Sequence, residues 1–116
     1  MDAVAAALAD PTRRGILMML RERMMSAGEI AGGFDVSRPA VSRHLRVLRE
    51  CGLVVDEARG RQRLYRLDLG PLAPLEAWLA RLHDRWSEHL DALETEVYRA
   101  RRERRAAPST PGERSA

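Results

Sequence analysis

One feature constrains this chain most: an apolar row near its C-terminal end that a protomer of 116 residues cannot cover alone. Leu72, Leu75, Leu79, Leu82, Trp86, Leu90, Leu93 and Val97 recur with gaps of 3, 4, 3, 4, 4, 3 and 4. That spacing is close to a coiled-coil seam. Pro71 and Pro74 open the segment, and the spacing predicts a helix running to about Arg105. At 1.5 Å per residue such a helix is about 50 Å long, beyond the reach of one small body. The stripe calls for a second chain.

The remaining length suits one domain with a modest core. Aromatic residues are only 4%, so that core must come from Leu, Val, Ile, Met and Ala. Cys51 is the single cysteine, which excludes an internal disulfide and any one-chain zinc site built on two thiolates. No apolar run approaches the ~20 residues of a membrane span. The first twenty residues are interrupted by Asp10, Pro11, Arg13 and Arg14, which argues against a secretory signal. A soluble, cytoplasmic protein is expected.

Ahead of the long helix the chain reads as short elements. Residues 2–9 are strong helix formers, with Asp2 placed to cap them. Asp10-Pro11-Thr12 is a second start signal, and Ile16, Leu17, Leu20 and Met24 predict an amphipathic helix over 11–24. Ser26-x-x-Glu29 is a capping box for a short third helix that ends at Gly32 and Gly33. Ser37 caps a fourth helix running to about Cys51, with Val41, Leu45 and Leu48 inward and Arg38, Ser42, Arg43, Arg46 and Arg49 opposite. Two short helices joined by a glycine-containing turn, the second armed with arginine, spell a helix-turn-helix. The period then changes. Residues 53–56 and 63–68 read as strands joined by 57–62, with Gly60 at the tip and Arg59, Arg61 and Arg63 around it. This basic hairpin reads as a wing. The fold expected is mainly α with a β-hairpin wing: four helices, two strands and a fifth helix, a winged helix-turn-helix. Residues 1–105 form its DNA-binding and dimerisation domain, and 106–116 form a disordered tail of linker composition.

Charge points the same way. All twenty basic residues are arginine, and the net charge is +3. Residues 37–66 hold eight arginines against three acids, whereas the flanking segments each carry one net negative charge. The positive excess is confined to the helix-turn-helix and wing, the footprint expected of polyanion binding.

The strings Ala7-Leu8-Ala9-Asp10-Pro11-Thr12-Arg13-Arg14, Val36-Ser37-Arg38-Pro39-Ala40-Val41-Ser42-Arg43-His44-Leu45-Arg46-Val47-Leu48, Gly52-Leu53-Val54 and Gly60-Arg61-Gln62-Arg63-Leu64-Tyr65-Arg66-Leu67 resemble the ArsR/SmtB family of winged-helix repressors. The resemblance covers residues 3 to about 98. It implies binding of operator DNA and a homodimer formed by the first and last helices. The interface would then use Val4, Leu8, Leu75, Leu79, Leu82, Trp86, Leu90, Leu93 and Val97. The chain departs from the family's metal sensors. Residues 28–33 hold no thiol pair, and His83 and His89, six residues apart, lie about 240° apart around a helix. No metal or other cofactor is expected. The alternative is a metal- or ligand-responsive sensor that releases DNA on effector binding, with His83, Asp84, Glu88 and His89 joining across two subunits.

A major groove about 12 Å wide admits one helix, whose exposed face reads base edges. Arg38, Ser42 and Arg43 lie near the start of the fourth helix, and Arg43 is the first choice for bidentate readout of guanine. Ser37 caps the helix beside Pro39 and can also meet phosphate. Arg46 and Arg49 are expected on the backbone, and Arg59, Arg61 and Arg63 in the flanking minor groove or on its phosphates. His44 has two readings, a flanking base contact or packing against the preceding helix. Cys51 likewise reads as a small buried residue at a helix end or as a reactive sensor. No nucleophile, acid–base pair or phosphate-cradling loop is evident, so no enzyme activity is expected.

Overall fold

Asp10 sets the first long-range feature of the fold by stopping one helix and starting the next. In the computed structural model, which describes residues 1–106, helix α1 (Asp2–Leu8) gives way to α2 (Pro11–Leu20). The Asp10 carboxylate accepts from the Arg13 N–H at 3.0 Å, and Pro11 occupies the first turn, where no N–H is required. For α1 the expected cap is corrected: Met1 precedes the helix without a side-chain cap, and Asp2 lies in its first turn. There its charge still meets the positive end of the helix dipole.

The second helix stops four residues earlier than its apolar spacing suggested. Met25–Ser26 forms a short strand, β1, that was not expected, and it leads into α3 (Ala27–Ala31). Two demands override helix propensity here. Ser26 must be extended to cap α3, and the capping box with Glu29 is present in both directions at 3.2 Å. Met25 and Ser26 also pair with Tyr65 and Leu64.

Helix α4 (Arg38–Glu50) begins at Ser37, whose hydroxyl accepts from Ala40 N–H at 3.3 Å, and ends at Cys51. Gly52 follows with φ of +84°, a left-handed conformation open to glycine at little cost. Strands β2 (Val54–Arg59) and β3 (Gln62–Leu67) form an antiparallel hairpin that is longer than expected. Arg59 pairs with Gln62, so the six-residue connection contracts to Gly60-Arg61. Gly60 has φ of +63°, and a glycine at the first central position is what a two-residue hairpin turn of the II′ kind requires. The sheet order is β1-β3-β2, all antiparallel. A 3₁₀ turn (Gly70–Leu72) precedes α5 (Ala73–Ala106). Of the expected tail, residues 107–116 lie outside the described residues, and Ala106 is helical.

The chain divides into two units, Met1–Trp78 and the part from Leu79 onward. The core belongs to the first. Ile16, Leu20, Ile30, Val41, Leu45, Leu48, Leu53, Val54 and Tyr65 meet there, with Leu72 and Leu75 against its edge. Val4 is also core, 4% exposed, which corrects its assignment to a dimer interface: its side chain is already consumed within the protomer. Leu8 is half-buried against the same cluster.

Candidate nucleic-acid interface

Helix α4 carries its chemistry by facing the core with one side only. Val41, Leu45 and Leu48 are no more than 1% exposed, whereas Arg38, Ser42, Arg43, Arg46 and Arg49 are all exposed. At about 100° per residue, Arg43 lies almost opposite the buried row. The helix therefore holds Arg43 as far from the core as any of its side chains. Ser37 and Pro39, also exposed, flank the N-terminal turn.

A groove of about 460 Å³ joins this helix to the hairpin. Arg38 and Ser42 line it from α4, Arg61, Gln62, Arg63 and Tyr65 from the hairpin, and Ser26, Ala27 and Gly28 from the start of α3. Its walls bear guanidinium and hydroxyl groups and no carboxylate, so a chain of phosphates would meet donors on both sides. Sequence reading missed the contribution of Ser26 and Gly28. Their place depends on β1, which has no periodic signal.

The arginines of the basic window are not equivalent. Arg63 donates to Asp56, and Arg49 donates to the same carboxylate at 3.3 Å. The register explains the pairing. Asp56 lies opposite Tyr65 and Ala58 opposite Arg63, so Arg63 and Asp56 are diagonal neighbours on one face of the hairpin. The two guanidinium groups hold the Asp56 carboxyl below its ordinary value of 3.8, with the Arg63 hydrogen bond the largest cause, and Arg63 is raised in return. Arg59 lies 3.8 Å from Glu57. The three wing arginines therefore differ: among the described residues, Arg61 alone of the three has no carboxylate partner. On α4, Arg38, Arg43 and Arg46 are likewise without one among the described residues.

His44 takes the packing role. It belongs to a half-buried row, Ala40, His44, Val47 and Cys51, flanking the core stripe at helical spacing. Its Nδ1 lies 3.5 Å from Arg13 Nη1 and 3.8 Å from Asp10 Oδ2, so the neighbour is the start of α2 rather than α3. Nothing in the spacing of the sequence gives Arg13 a role, but the structure does. Its Nε donates to Ala7 O at 2.6 Å and its Nη2 to Ala6 O at 3.1 Å, while Arg14 donates to Leu8 O at 2.7 Å. Ala7 O and Leu8 O are carbonyls of the last turn of α1, where helical donors run out, while Ala6 O also accepts from Ala9 N–H at 3.2 Å. Cys51 is half-buried, its thiol donating to Leu48 O at 3.3 Å.

The unit from Leu79 onward presents an uncovered stripe. Leu79, Leu82, Trp86, Leu90, Leu93 and Val97 are between 41% and 56% exposed on one face of α5. Trp86 stacks at a tilt on His89, with ring centroids 5.7 Å apart. Among the described residues no three His, Cys, Asp or Glu side chains converge as a metal site, and no helix is long and apolar enough to cross a membrane.

Comparison with known proteins agrees with this geometry. The family model described as "Bacterial regulatory protein, arsR family" matches residues 10–55, from the α2 cap to the start of β2. The chain is 45% identical over 84 residues to the HTH-type transcriptional regulator Rv2034 of Mycobacterium tuberculosis, covering 72% of this chain and 78% of that protein. It is 37% identical over 79 residues to the transcriptional repressor SdpR of Bacillus subtilis, covering 68% and 88%. Among solved structures, the homodimeric winged helix-turn-helix DNA-binding domain of a Mycobacterium bovis protein superposes with a TM-score of 0.58 at 28% identity, covering 72% of this chain and 77% of that one.

Proposed function

The chain belongs to the ArsR family of bacterial regulatory proteins, and from that premise we propose that it is a homodimeric transcriptional repressor of a pseudo-palindromic operator. Its DNA-reading parts are α4 and the wing. In this reading Arg43 reads a guanine edge, with Arg38 and Ser42 beside it near the start of the helix. Ser37, Pro39 and Arg46 meet the backbone, and Arg61 at the hairpin tip reaches the flanking minor groove or its phosphates. Arg49, Arg59 and Arg63 add positive potential around the groove while engaged with Asp56 and Glu57. One observation carries the reading: a helix whose inner row is fully buried displays Arg38, Arg43 and Arg46 outward, with Arg38 and Ser42 on a groove shared with the wing.

Dimerisation supplies the rest. One recognition helix reads a few base pairs, and two related by a twofold axis read half-sites about one helical turn apart. The α5 stripe from Leu79 to Val97 supports a partner copy in that role, and the reading keeps Leu75 and Leu8, both half-buried, as interface residues. Residues 1–105 then act as one DNA-binding and dimerisation domain in the cytoplasm, without catalytic chemistry. Repression follows because a small dimer seated on a promoter obstructs polymerase.

The test is selection of bound fragments from the source genome, followed by titration against salt. A recurrent pseudo-palindromic site is expected, bound with an affinity that falls steeply as salt rises, because each neutralised phosphate releases counterions. Binding that is equal on all fragments would overturn the reading.

A further inference from the structure

We propose that Arg13 is a positioning residue for the recognition helix, acting through Nδ1 of His44, and that the proton on that nitrogen decides how α4 is held. The proposal rests on the operator-binding reading above and adds a control point to it.

Arg13 is fixed by two backbone carbonyls. Its Nε and Nη2 bond to Ala7 O and Ala6 O at the end of α1, which leaves Nη1 pointing at His44 Nδ1 at 3.5 Å. A guanidinium has donors only, so it favours the neutral ring whose Nδ1 accepts and whose proton sits on Nε2. In that state α4 is tied through Arg13, 31 residues before His44 in sequence, to the last turn of α1. The same Nδ1 lies 3.8 Å from Asp10 Oδ2, an acceptor. Asp10 stays ionised because the Arg13 backbone N–H holds its carboxyl below the ordinary value of 3.8. One ring nitrogen thus stands between a permanent donor and a permanent acceptor.

Protonation exchanges these partners. The Nδ1–H⁺ loses Arg13, is repelled by its charge, and gains the Asp10 carboxylate. The other elements packed on α4 bring no competing charge. Glu29 of α3 is bonded to Arg23, Asp56 of β2 is held by Arg49 and Arg63, Glu57 and Arg59 of β2 lie 3.8 Å from each other, Arg14 of α2 donates to Leu8 O, and the one charged side chain of α1, Asp2, lies in its first turn. Arg43, adjacent on α4, points away from the core. The consequence is a shift of α4 relative to α1 and α2, and with it of the arginines that read DNA.

Operator affinity measured by anisotropy between pH 8 and 5.5 tests this. Wild type is expected to weaken about three- to tenfold toward acid, the order of an ordinary net hydrogen-bond contribution, because the bond lost to Arg13 is offset in part by the one gained to Asp10, while remaining dimeric by light scattering. His44→Asn places an amide oxygen where Nδ1 accepts and cannot titrate. Its operator affinity should be the same at pH 8 and at pH 5.5. Arg13→Lys keeps the charge but not the fork, and should weaken binding already at pH 8 and flatten the profile. Wild-type binding that tightens in acid would make His44 a direct phosphate contact and overturn the proposal. So would a flat wild-type profile, an acid response surviving in His44→Asn, or dissociation of the dimer in acid. Absence of operator binding at every pH in every variant would instead defeat the parent reading.

Discussion

Helices α4 and α5 carry the same kind of apolar row and meet opposite fates. In α4, Val41, Leu45 and Leu48 are at most 1% exposed. In α5, Leu82, Trp86, Leu90 and Leu93 are between 41% and 56% exposed. The spacing of apolar residues states that a face will be covered, without saying by what. Length decides that here. The 13 residues of α4 span about 20 Å, within reach of a small core. The 34 residues of α5 span about 50 Å and outrun it. Each half-exposed leucine forgoes roughly 1 kcal/mol of burial, which a second copy can recover. One helix serves the fold; under the proposed function, the other serves the assembly that gives the fold its specificity.

The largest effect is expected from attacking the uncovered row. Leu90→Glu or Leu82→Glu should convert dimer to monomer in light scattering and abolish operator binding together, leaving helix content by circular dichroism unchanged. Tight binding by a monomeric variant would break the comparison. Next comes the covered row: Leu45→Ala should cost about 2–5 kcal/mol of unfolding free energy by denaturant titration. A loss well below that would mean α4 is not held by its core face.

Smaller effects sharpen the division among arginines. Arg43→Ala should cost about 1–3 kcal/mol at the operator, with a lesser loss on random duplex, and Arg63→Ala should cost less because Asp56 already engages that guanidinium. Equal loss on both DNAs would reduce Arg43 to a phosphate contact. The smallest effect is on acid behaviour. The Asp56 carboxyl is lowered in the folded state, so its contribution to stability is full above pH 3.8 and is lost as pH falls through the lower folded value. Carboxyl titration by NMR should give a midpoint below 3.8 that rises in Arg63→Gln.

Much of the fold was legible because the informative signals are local. The Ser26–Glu29 box, the Ser37 cap and the Val41, Leu45, Leu48 row each lie within one or two helical turns, and the structure places them as read. Apart from the α1 cap, which is local, the differences share one cause, contacts distant in sequence. Residues 21–24 are good helix formers, yet Met25 pairs with Tyr65 and ends that run. Val4 had been read as interface on resemblance, and the core takes it. The wing arginines looked alike along the chain, and only the β2–β3 register shows that Arg63 meets Asp56 while Arg61 stands at the turn. For His44 the signal was present: it sits on the Ala40, Val47, Cys51 row beside the buried stripe, and helical spacing alone favours packing.

The most direct measurement is the stoichiometry of the operator complex by sedimentation at low ionic strength. Two polypeptides on one duplex site, with a free protein already dimeric, is the predicted result. A single chain per site, or no sequence-dependent complex on any genomic fragment, would contradict the account.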